Sequence, residues 1–482
     1  MLFNSLEFVL FLPVVFLLYW FVFKRLKCQN LFLVVASYLF YGWWDWRFLL
    51  LIAFTTLCSY ISGLLIVYYE RKRSLQKLIS ACNIVLNLSI LGVFKYYDFF
   101  AENFANLFHG LGVEIDWVTL DILLPVGISF YTFQALSYSI DVYQKKLEAC
   151  RDIISFFAFI SFFPQLVAGP IERATNLLPQ FYRPRIFDYP NAVDGCRQIL
   201  WGFFKKMVIA DNCAVLVNQI WSDYSHQNGF ILFMGGLFFT FQIYGDFSGY
   251  SDIAIGTARL FGINLMRNFN FPYFSRDIAE FWRRWHISLT TWFRDYIYIP
   301  LGGSRCTKLK AFRNTMIIFL LSGFWHGANW TFIVWGAYHA ILFLPLMFLG
   351  NNRKHTNMVA NGHLLPTFKE CFQMLFTFFW VIIGWIIFRA ENIYQAWDYL
   401  ERMFSDFSVN IFMLSSKHLF SLLCILLLLI VEWVQRDKQH GLQFSANGIL
   451  KYRVCRLSIY YVLVMTILLF AGEQETFIYF QF

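Results

Sequence analysis

Two histidines, each next to a tryptophan, are the residues of this sequence whose types best suit chemistry. His286 lies in the string FWRRWHISLTTWFRDYIYIPLGG (281–303), and His326 lies in FWHGANWTFIVWG (324–336). An imidazole has an unperturbed pKa of about 6.5, so it can accept a proton and return it near neutral pH. Both positions are therefore candidates for acid–base catalysis.

The residue types alone also allow a structural interpretation of both histidines. A histidine buried between helices can be held by hydrogen bonds and stabilise a bundle without taking part in a reaction. Gly323 and Gly327 flank His326 and allow either close backbone approach or a break in the helix. His286 falls at the edge of an aromatic stripe, where anchoring its helix is the simpler interpretation.

A third histidine and a metal site are both disfavoured by spacing. His339 follows His326 by 13 residues, which is about 20 Å along an unbroken helix. Only a break at Gly327–Asn329 could bring the two rings together, so His339 is expected to be structural. There is no His-x-x-x-His spacing and no carboxylate near His326, so no metal site is predicted.

Other catalytic patterns are weak. Gly245–Gly249 reads GDFSG, one residue too long for the G-x-S-x-G string of serine hydrolases. Its carboxylate Asp246, together with Asp252, could polarise a site or pair with a basic residue across a bundle, and pairing is the favoured interpretation. Neither a phosphate-binding P-loop nor a dinucleotide-binding glycine pattern occurs, which disfavours a nucleotide-driven pump.

The elements that must position these residues are membrane helices. Of the 482 residues 59% are hydrophobic and 14% are charged, with a mean hydropathy of +0.53, whereas soluble domains carry about 25% charged residues. We predict an all-α, polytopic transmembrane bundle with roughly ten to twelve crossings, forming a single domain over residues 1–482. The candidate spans are approximately 6–23, 31–41, 48–69, 78–97, 122–141, 200–220, 230–256, 314–349 (long enough for two passes), 372–388, 411–434 and 456–471.

Charge asymmetry predicts the orientation. Basic residues follow the first span, the 48–69 span and the 122–141 span, whereas the loop 98–121 is acidic. The acidic residues of that loop are Asp98, Glu102, Glu114, Asp116 and Asp121. The positive-inside rule then places the basic loops in the cytoplasm and the N-terminus outside.

Two segments do not fit simple crossings. Residues 153–170 have basic residues at both ends and are interrupted by Pro164 and Gly169-Pro170. They predict a re-entrant or interfacial element, and a kinked span is the alternative. Residues 281–296, taken as one helix, separate an aromatic stripe from a polar stripe, which predicts an amphipathic helix in the cytoplasmic interface.

Several long strings resemble the membrane-bound O-acyltransferase family, most closely its bacterial alginate O-acetylation branch. Beyond the two histidine strings, the resemblance rests on further strings that run through nearly the whole chain. They are YGWWDWRF (41–48), LPVGISFYTFQALSYSIDVY (124–143), FFPQLVAGPIER (162–173), YGDFSGYSDIAIG (244–256) and FIYFQF (477–482).

The resemblance implies a many-helix bundle with a narrowed core, and residues 281–339 as its catalytic-core stretch. The family's invariant histidine corresponds to His326 and a second, supporting histidine to His286, so both are expected to be catalytic. The implied donor is a cytoplasmic thioester, most simply acetyl-CoA, with no bound cofactor. The implied acceptor is an exported polysaccharide such as alginate at the bacterial inner membrane, with cellulose, another exopolysaccharide and peptidoglycan left open. The acetyl group would reach it either directly or through a periplasmic O-acetyltransferase partner.

These expectations combine into one hypothesis. The donor docks against the basic residues of 267–313, His326 acts as general base on an acceptor hydroxyl or relays the acetyl group outward, and His286 orients the thioester or the proton network. One alternative is D-alanyl transfer to teichoic acid from a carrier protein. Another is a secondary transporter, which predicts internal repeats that the sequence does not display.

Overall fold

The computed structural model describes residues 1–113, 123–167, 169–444, 451–473 and 475–478. Throughout these ranges the regular secondary structure is helical, with no strand, which confirms the all-α prediction. The chain divides into two compact units. The first unit contains Met1–Ala192 and Thr257–Met266, and the second contains Val193–Gly256 and Arg267–Phe482. That residues 1–482 act as one domain stays a prediction.

The first unit consists of eight α-helices and the beginning of a ninth among the described residues. Buried polar side chains link its helices; the amide of Asn30, for example, donates to the hydroxyl of Ser155 at 3.1 Å and to the carbonyl of Phe181 at 2.9 Å. The helices are α1 Leu6–Leu17, α2 Leu26–Gly42, α3 Arg47–Tyr68, α4 Arg73–Gly110, α5 Ile128–Tyr143, α6 Ile153–Ser161, α7 Phe163–Leu166, α8 Ala174–Leu177 and α9 Tyr189–Phe203.

The segment 153–170 is broken, as its prolines and glycine predict. Helix α6 has 9 residues and α7 has 4, and at 1.5 Å per residue neither approaches the ~30 Å of a hydrocarbon core. The bend between them is held by the backbone N–H of Phe163, which donates to the hydroxyl of Ser37 at 3.0 Å. A short, buried and broken element fits the re-entrant interpretation better than a single kinked span.

The second unit carries both candidate histidines. Between α9 and α10 the helix widens into a π-helix over Phe204–Ala210, and a second π-helical turn, Arg294–Tyr298, follows α13. The helices are α10 Asp211–Ser222, α11 Gly229–Leu260 (its last turn belongs to the first unit), α12 Ile278–Arg284, α13 Ile287–Phe293, α14 Lys308–His326, α15 Trp330–Phe348, α16 Phe368–Arg389, α17 Ile393–Ser405, α18 Ser416–Val434 and α19 Arg453–Phe470.

Seven of the described helices are long and apolar enough to cross a membrane. They are α3, α4, α11, α15, α16, α18 and α19. Other predicted spans correspond to shorter or interrupted helices. The span 122–141 corresponds to the 16-residue α5, and the span 200–220 is interrupted by the π-helix Phe204–Ala210. The long run 314–349 forms two helices, as its length allowed. Glu114, Asp116 and Asp121 of the acidic loop, and residues 479–482 of the closing string, lie outside the described residues.

Helices α14 and α15 form a hairpin whose backbones approach closely. A Cβ added to Gly323 would lie 2.1 Å from the carbonyl oxygen of Phe332, and one added to Gly336 would lie 2.3 Å from that of Phe319. Only glycine fits at two such contacts, because a methyl group would overlap backbone atoms that cannot move independently. These two glycines therefore set the separation of the two helices that carry His326 and its neighbours.

Replacing Gly336 with alanine is expected to destabilise the protein by about 1–3 kcal/mol, since the added methyl group must push the hairpin apart. Thermal unfolding of the purified protein in detergent, followed by tryptophan fluorescence, measures the effect. Gly92→Ala in α4 is the matched control, because no atom lies within 4 Å of a Cβ added there. An unchanged apparent Tm for Gly336→Ala would contradict the close-packed hairpin.

Candidate active site

His286 lies at a break between two short helices rather than within one. Helix α12 ends at Arg284 and α13 begins at Ile287, and His286 between them adopts a left-handed backbone with φ 42° and ψ 54°. The backbone N–H of Ile287 donates to the carbonyl of Asn268 at 2.9 Å, which pins the turn. Histidine is among the residues enriched in this conformation. The prediction of one continuous helix over 281–296 is therefore wrong, because this turn interrupts it.

The turn directs the imidazole of His286 into the protein, where the side chain is only 1% exposed. Its ring meets the edge of Phe247 on α11, with centroids 4.7 Å apart, and lies 5.9 Å from the ring of Trp325. Most of the aromatic stripe of the segment is buried inside the protein, and so are Arg284 and Ser288 of its polar stripe. Both faces of this segment pack against protein.

His326 is the last residue of α14. The chain continues in extended conformation at Gly327 (φ −167°), and the side chain of Asn329 then caps α15 by accepting from the N–H of Thr331 at 3.0 Å. The imidazole of His326 is 3% exposed. It contacts Trp335 of α15 at 5.2 Å and Phe388 of α16 at 5.5 Å between ring centroids.

The fold brings the two predicted histidines together. The ring centroids of His286 and His326 lie 6.4 Å apart, with their planes inclined by 59°. Trp325 contacts both rings, at 5.9 Å from His286 and 5.0 Å from His326. One small group of a substrate, such as a hydroxyl or a carbonyl, could contact both imidazoles at this separation.

His339 is linked to this pair through a tryptophan that contacts both His326 and His339. The helix break at 327–329 is present, and the ring of Trp335 contacts His326 at 5.2 Å and His339 at 5.0 Å. His339 also meets the edge of Trp282 at 5.0 Å, and both its ring nitrogens lack a hydrogen-bond partner among the described residues. Its contacts are those of a packing residue. Nowhere in the described ranges do three or more His, Cys, Asp or Glu residues form a group that could hold a metal ion.

The surroundings of His286 keep it neutral. Burial among apolar rings lowers the pKa of His286 to about 3, because the charged imidazolium loses its hydration there. A group with so low a pKa does not hold a proton near neutral pH. As a neutral ring it can still donate one hydrogen bond and accept another, which suits it to orient a substrate or a second histidine.

Part of the basic cluster in 267–313 serves the fold itself. Arg276 and Arg284 both bind the buried carboxylate of Glu280, at 3.0 and 2.8 Å. Arg283 donates to the backbone carbonyls of Asn352 and His355, at 2.6 and 2.8 Å. The exposed positive charge of the cluster instead lies just before α14 and in its first turns, without a carboxylate partner in the part of the chain that the structure describes. These residues are Arg305, Lys308, Lys310 and Arg313.

The aspartates of α11 are paired, as the sequence favoured. Lys205 binds Asp252 at 2.7 Å, and Lys206 binds Asp246 at 2.9 Å. Both lysines are buried, and the two ion pairs join the π-helix 204–210 to α11. Neither aspartate is a free carboxylate that could act on a substrate.

Sequence reasoning missed the residues that enclose the histidines. Phe247, Trp335 and Phe388 come from three different helices and provide the ring contacts described above. Asn268, fully buried, holds the turn at His286 through its carbonyl and accepts from the hydroxyl of Ser288 at 2.6 Å. The one signal for Asn268 was a short polar side chain in the aromatic string NFNF (268–271).

A many-helix membrane protein with two histidines buried side by side fits an enzyme that transfers protons on a substrate inside the bundle. The family model described as MBOAT, membrane-bound O-acyltransferase family, matches residues 39–388. The chain therefore belongs to the membrane-bound O-acyltransferase family, and it is a multi-pass membrane acyltransferase. Both conclusions confirm expectations from the sequence strings.

Individual relatives are similar over most of their length. A probable alginate O-acetylase from Pseudomonas aeruginosa (strain PAO1) is 42% identical over 84% of this chain and 75% of its own length. Another from Azotobacter vinelandii is 37% identical over 100% of both chains. A peptidoglycan O-acetyltransferase from Helicobacter pylori (strain 26695) is 35% identical over 86% of this chain and 82% of its own.

Proposed function

We propose that this acyltransferase takes an acetyl group from a cytoplasmic thioester, acetyl-CoA in the simplest case, for O-acetylation of an exported polysaccharide. The observation that carries the chemistry is the pair of buried imidazoles, His286 and His326, 6.4 Å apart at the end of the α14–α15 hairpin. A thioester and a hydroxyl need a general base and an oriented carbonyl in order to react. Two adjacent histidines in a water-poor site can provide both.

His326 is the general base in this proposal. The oxygen of the acceptor hydroxyl attacks the thioester carbonyl carbon while its proton moves to a ring nitrogen of His326. The carbon–sulfur bond then breaks, and His326 returns the proton to the leaving thiolate. His286 stays neutral and donates a hydrogen bond to the carbonyl oxygen, where negative charge develops. Its low pKa supports this role over that of the base.

The exposed basic residues before and within the start of α14 support an anionic donor. Arg305, Lys308, Lys310 and Arg313 extend from the end of α14 opposite to His326. A phosphate-bearing thioester would be attracted there by charge and would send its acyl end toward the core. By the positive-inside rule this end of α14 faces the cytoplasm, and the N-terminus of the chain faces outward.

The names of the relatives support a polysaccharide acceptor for this proposal. Two are described as alginate O-acetylases and one as a peptidoglycan O-acetyltransferase, and both polymers carry sugar hydroxyls outside the cytoplasm. We assign this chain to the bacterial inner membrane. There it transfers acetyl groups to a polysaccharide acceptor, either directly or through a periplasmic O-acetyltransferase partner.

A binding experiment tests the donor. The purified protein in nanodiscs is expected to bind acetyl-CoA, with an affinity that falls as salt rises, since the contacts are ionic. Charge reversal at Lys308 and Lys310 should weaken binding about 10-fold or more if each contributes on the order of 1 kcal/mol. Binding of an acyl carrier protein instead of acetyl-CoA would overturn this donor and favour the D-alanyl type of transfer.

A further inference from the structure

The second unit contains a buried ion-paired lysine, Lys206, whose contacts the proposed chemistry does not use. The ammonium of Lys206 is 1% exposed and lies 2.8 Å from Asp211 and 2.9 Å from Asp246. Burying charges has a large desolvation cost, and replacing a whole buried ion pair with well-packed hydrophobic residues is often neutral or stabilising. Its presence calls for a role beyond holding two helices together.

The further hydrogen bonds of Lys206 and Asp246 indicate such a role. The ammonium of Lys206 also donates to the backbone carbonyl of Glu475 at 3.1 Å. The other oxygen of Asp246 accepts from the backbone N–H of Ile478 at 2.7 Å. Both partners of the ion pair thus bind the chain after α19, and they do so through its backbone.

The segment after α19 is fitted closely to this part of the unit. The N–H of Gly472 donates to the carbonyl of Met207 at 2.9 Å. A Cβ added to Gly472 would lie 2.8 Å from the backbone nitrogen of Asn212, so only glycine allows the segment to approach the helix at this point. Met207 belongs to the π-helix 204–210, and π-helical turns occur often at functional sites.

A row of aromatic rings connects this segment to the histidine pair. Phe477 is fully buried, 4.4 Å from the ring of Tyr250 and 6.0 Å from that of Phe247. Phe247 in turn packs its ring against His286 at 4.7 Å. The side chain that supports His286 on one side is therefore itself supported by the C-terminal segment.

We propose that Lys206 and Asp246 form a clamp that holds the described residues of the segment after α19 (472, 473 and 475–478) in place, so that Phe477 fixes Phe247 and, through it, the imidazole of His286. Both clamp residues are positioning residues, since they act on the site through Phe477 and Phe247. The effect on catalysis rests on the proposed role of His286. The attachment of the segment does not depend on that role.

Hydrogen–deuterium exchange of the full chain in nanodiscs tests the attachment directly. In Lys206→Met, amides of the peptide covering residues 472–478 should exchange at least 10-fold faster than in the unmodified protein. Lys205→Met is the matched control: Lys205 is adjacent, also buried and also ion-paired, but its carboxylate partner is Asp252 and it has no hydrogen bond or ion pair with the described residues of 472–478. Unchanged exchange in Lys206→Met, or equal acceleration in both variants, would overturn the clamp.

A kinetic comparison tests the connection to His286 without disturbing the buried charges. Phe477→Ala removes the ring that supports Phe247, and it should lower kcat about 10-fold with little change in the KM for the acetyl donor. Phe477→Leu keeps most of the volume and should recover most of the rate. Normal kcat in Phe477→Ala would contradict the connection. If the unmodified protein transfers no acetyl group at all, the proposed function fails, whereas the exchange experiment still decides whether the clamp exists.

Discussion

Replacing His326 with alanine should lower acetyl transfer by about 10²–10⁴-fold, the usual contribution of a general base. The imidazole is buried at the end of α14 beside His286, and in the proposed chemistry it receives the proton of the attacking hydroxyl. Without it, that proton loses its proposed acceptor. Mass spectrometry of acetyl esters on the surface polysaccharide, at matched levels of the protein in the membrane, measures the loss.

Two further variants separate this effect from a general loss of packing. His326→Asn retains a polar side chain of similar size but no base near neutral pH, so it should be as inactive as His326→Ala. His339→Gln removes another buried imidazole that also packs against Trp335, and transfer should stay within about 10-fold of normal. Near-normal transfer in both His326 variants would exclude this residue as the base.

Replacing His286 with alanine should lower kcat by about 10²–10³-fold, the range for loss of one hydrogen-bond donor to a developing oxyanion. The left-handed backbone at this position also disfavours alanine by about 1–2 kcal/mol. His286→Asn separates the two effects, because asparagine tolerates that conformation and retains a donor. We expect His286→Asn to be folded and partly active. Full activity in His286→Ala would contradict the orienting role.

His286→Asn is also expected to change how the stability of the protein depends on pH. Burial lowers the pKa of His286 to about 3 in the folded protein, whereas an unfolded chain has about 6.5. Between these values the unfolded chain binds more protons, so this residue lowers stability as the pH falls below about 6.5, by up to about 1.4 kcal/mol per pH unit, and has no effect above it. The apparent Tm of His286→Asn should therefore fall less than that of the unmodified protein between about pH 6.5 and pH 5. Equal slopes would indicate that His286 is already charged in the folded state.

The membrane character of this fold is predictable from the sequence, but the course of its irregular segments is not. Long apolar runs mark helices such as α3 and α16, because their length and composition suffice for a span. The break at His286 is not visible in the sequence, because the segment keeps helical periodicity through the turn. The turn depends on a hydrogen bond from Ile287 to the carbonyl of Asn268, which lies 19 residues earlier in the chain. A contact between distant parts of a chain cannot be read from local periodicity.

The residues of the candidate site are likewise only partly predictable from the sequence. Residue type and, above all, family resemblance single out His326 and His286, and the sequence favours the pairing of Asp246 with a basic residue without identifying its partner. The surrounding rings could not be identified in advance. In a sequence that is 21% aromatic, residue type and spacing alone do not distinguish Phe247 or Phe388 from other phenylalanines until the helices pack.

The most direct test of the central claim follows a labelled acetyl group through the protein. Inverted membrane vesicles that contain the protein and its polysaccharide acceptor are supplied from outside with acetyl-CoA carrying a radioactive acetyl group. Label should accumulate as acetyl ester inside vesicles made with the unmodified protein, and it should stay at background in vesicles made with His326→Ala. Equal incorporation in both kinds of vesicle, or none from acetyl-CoA in either while a carrier-bound acyl group is accepted, would contradict the account.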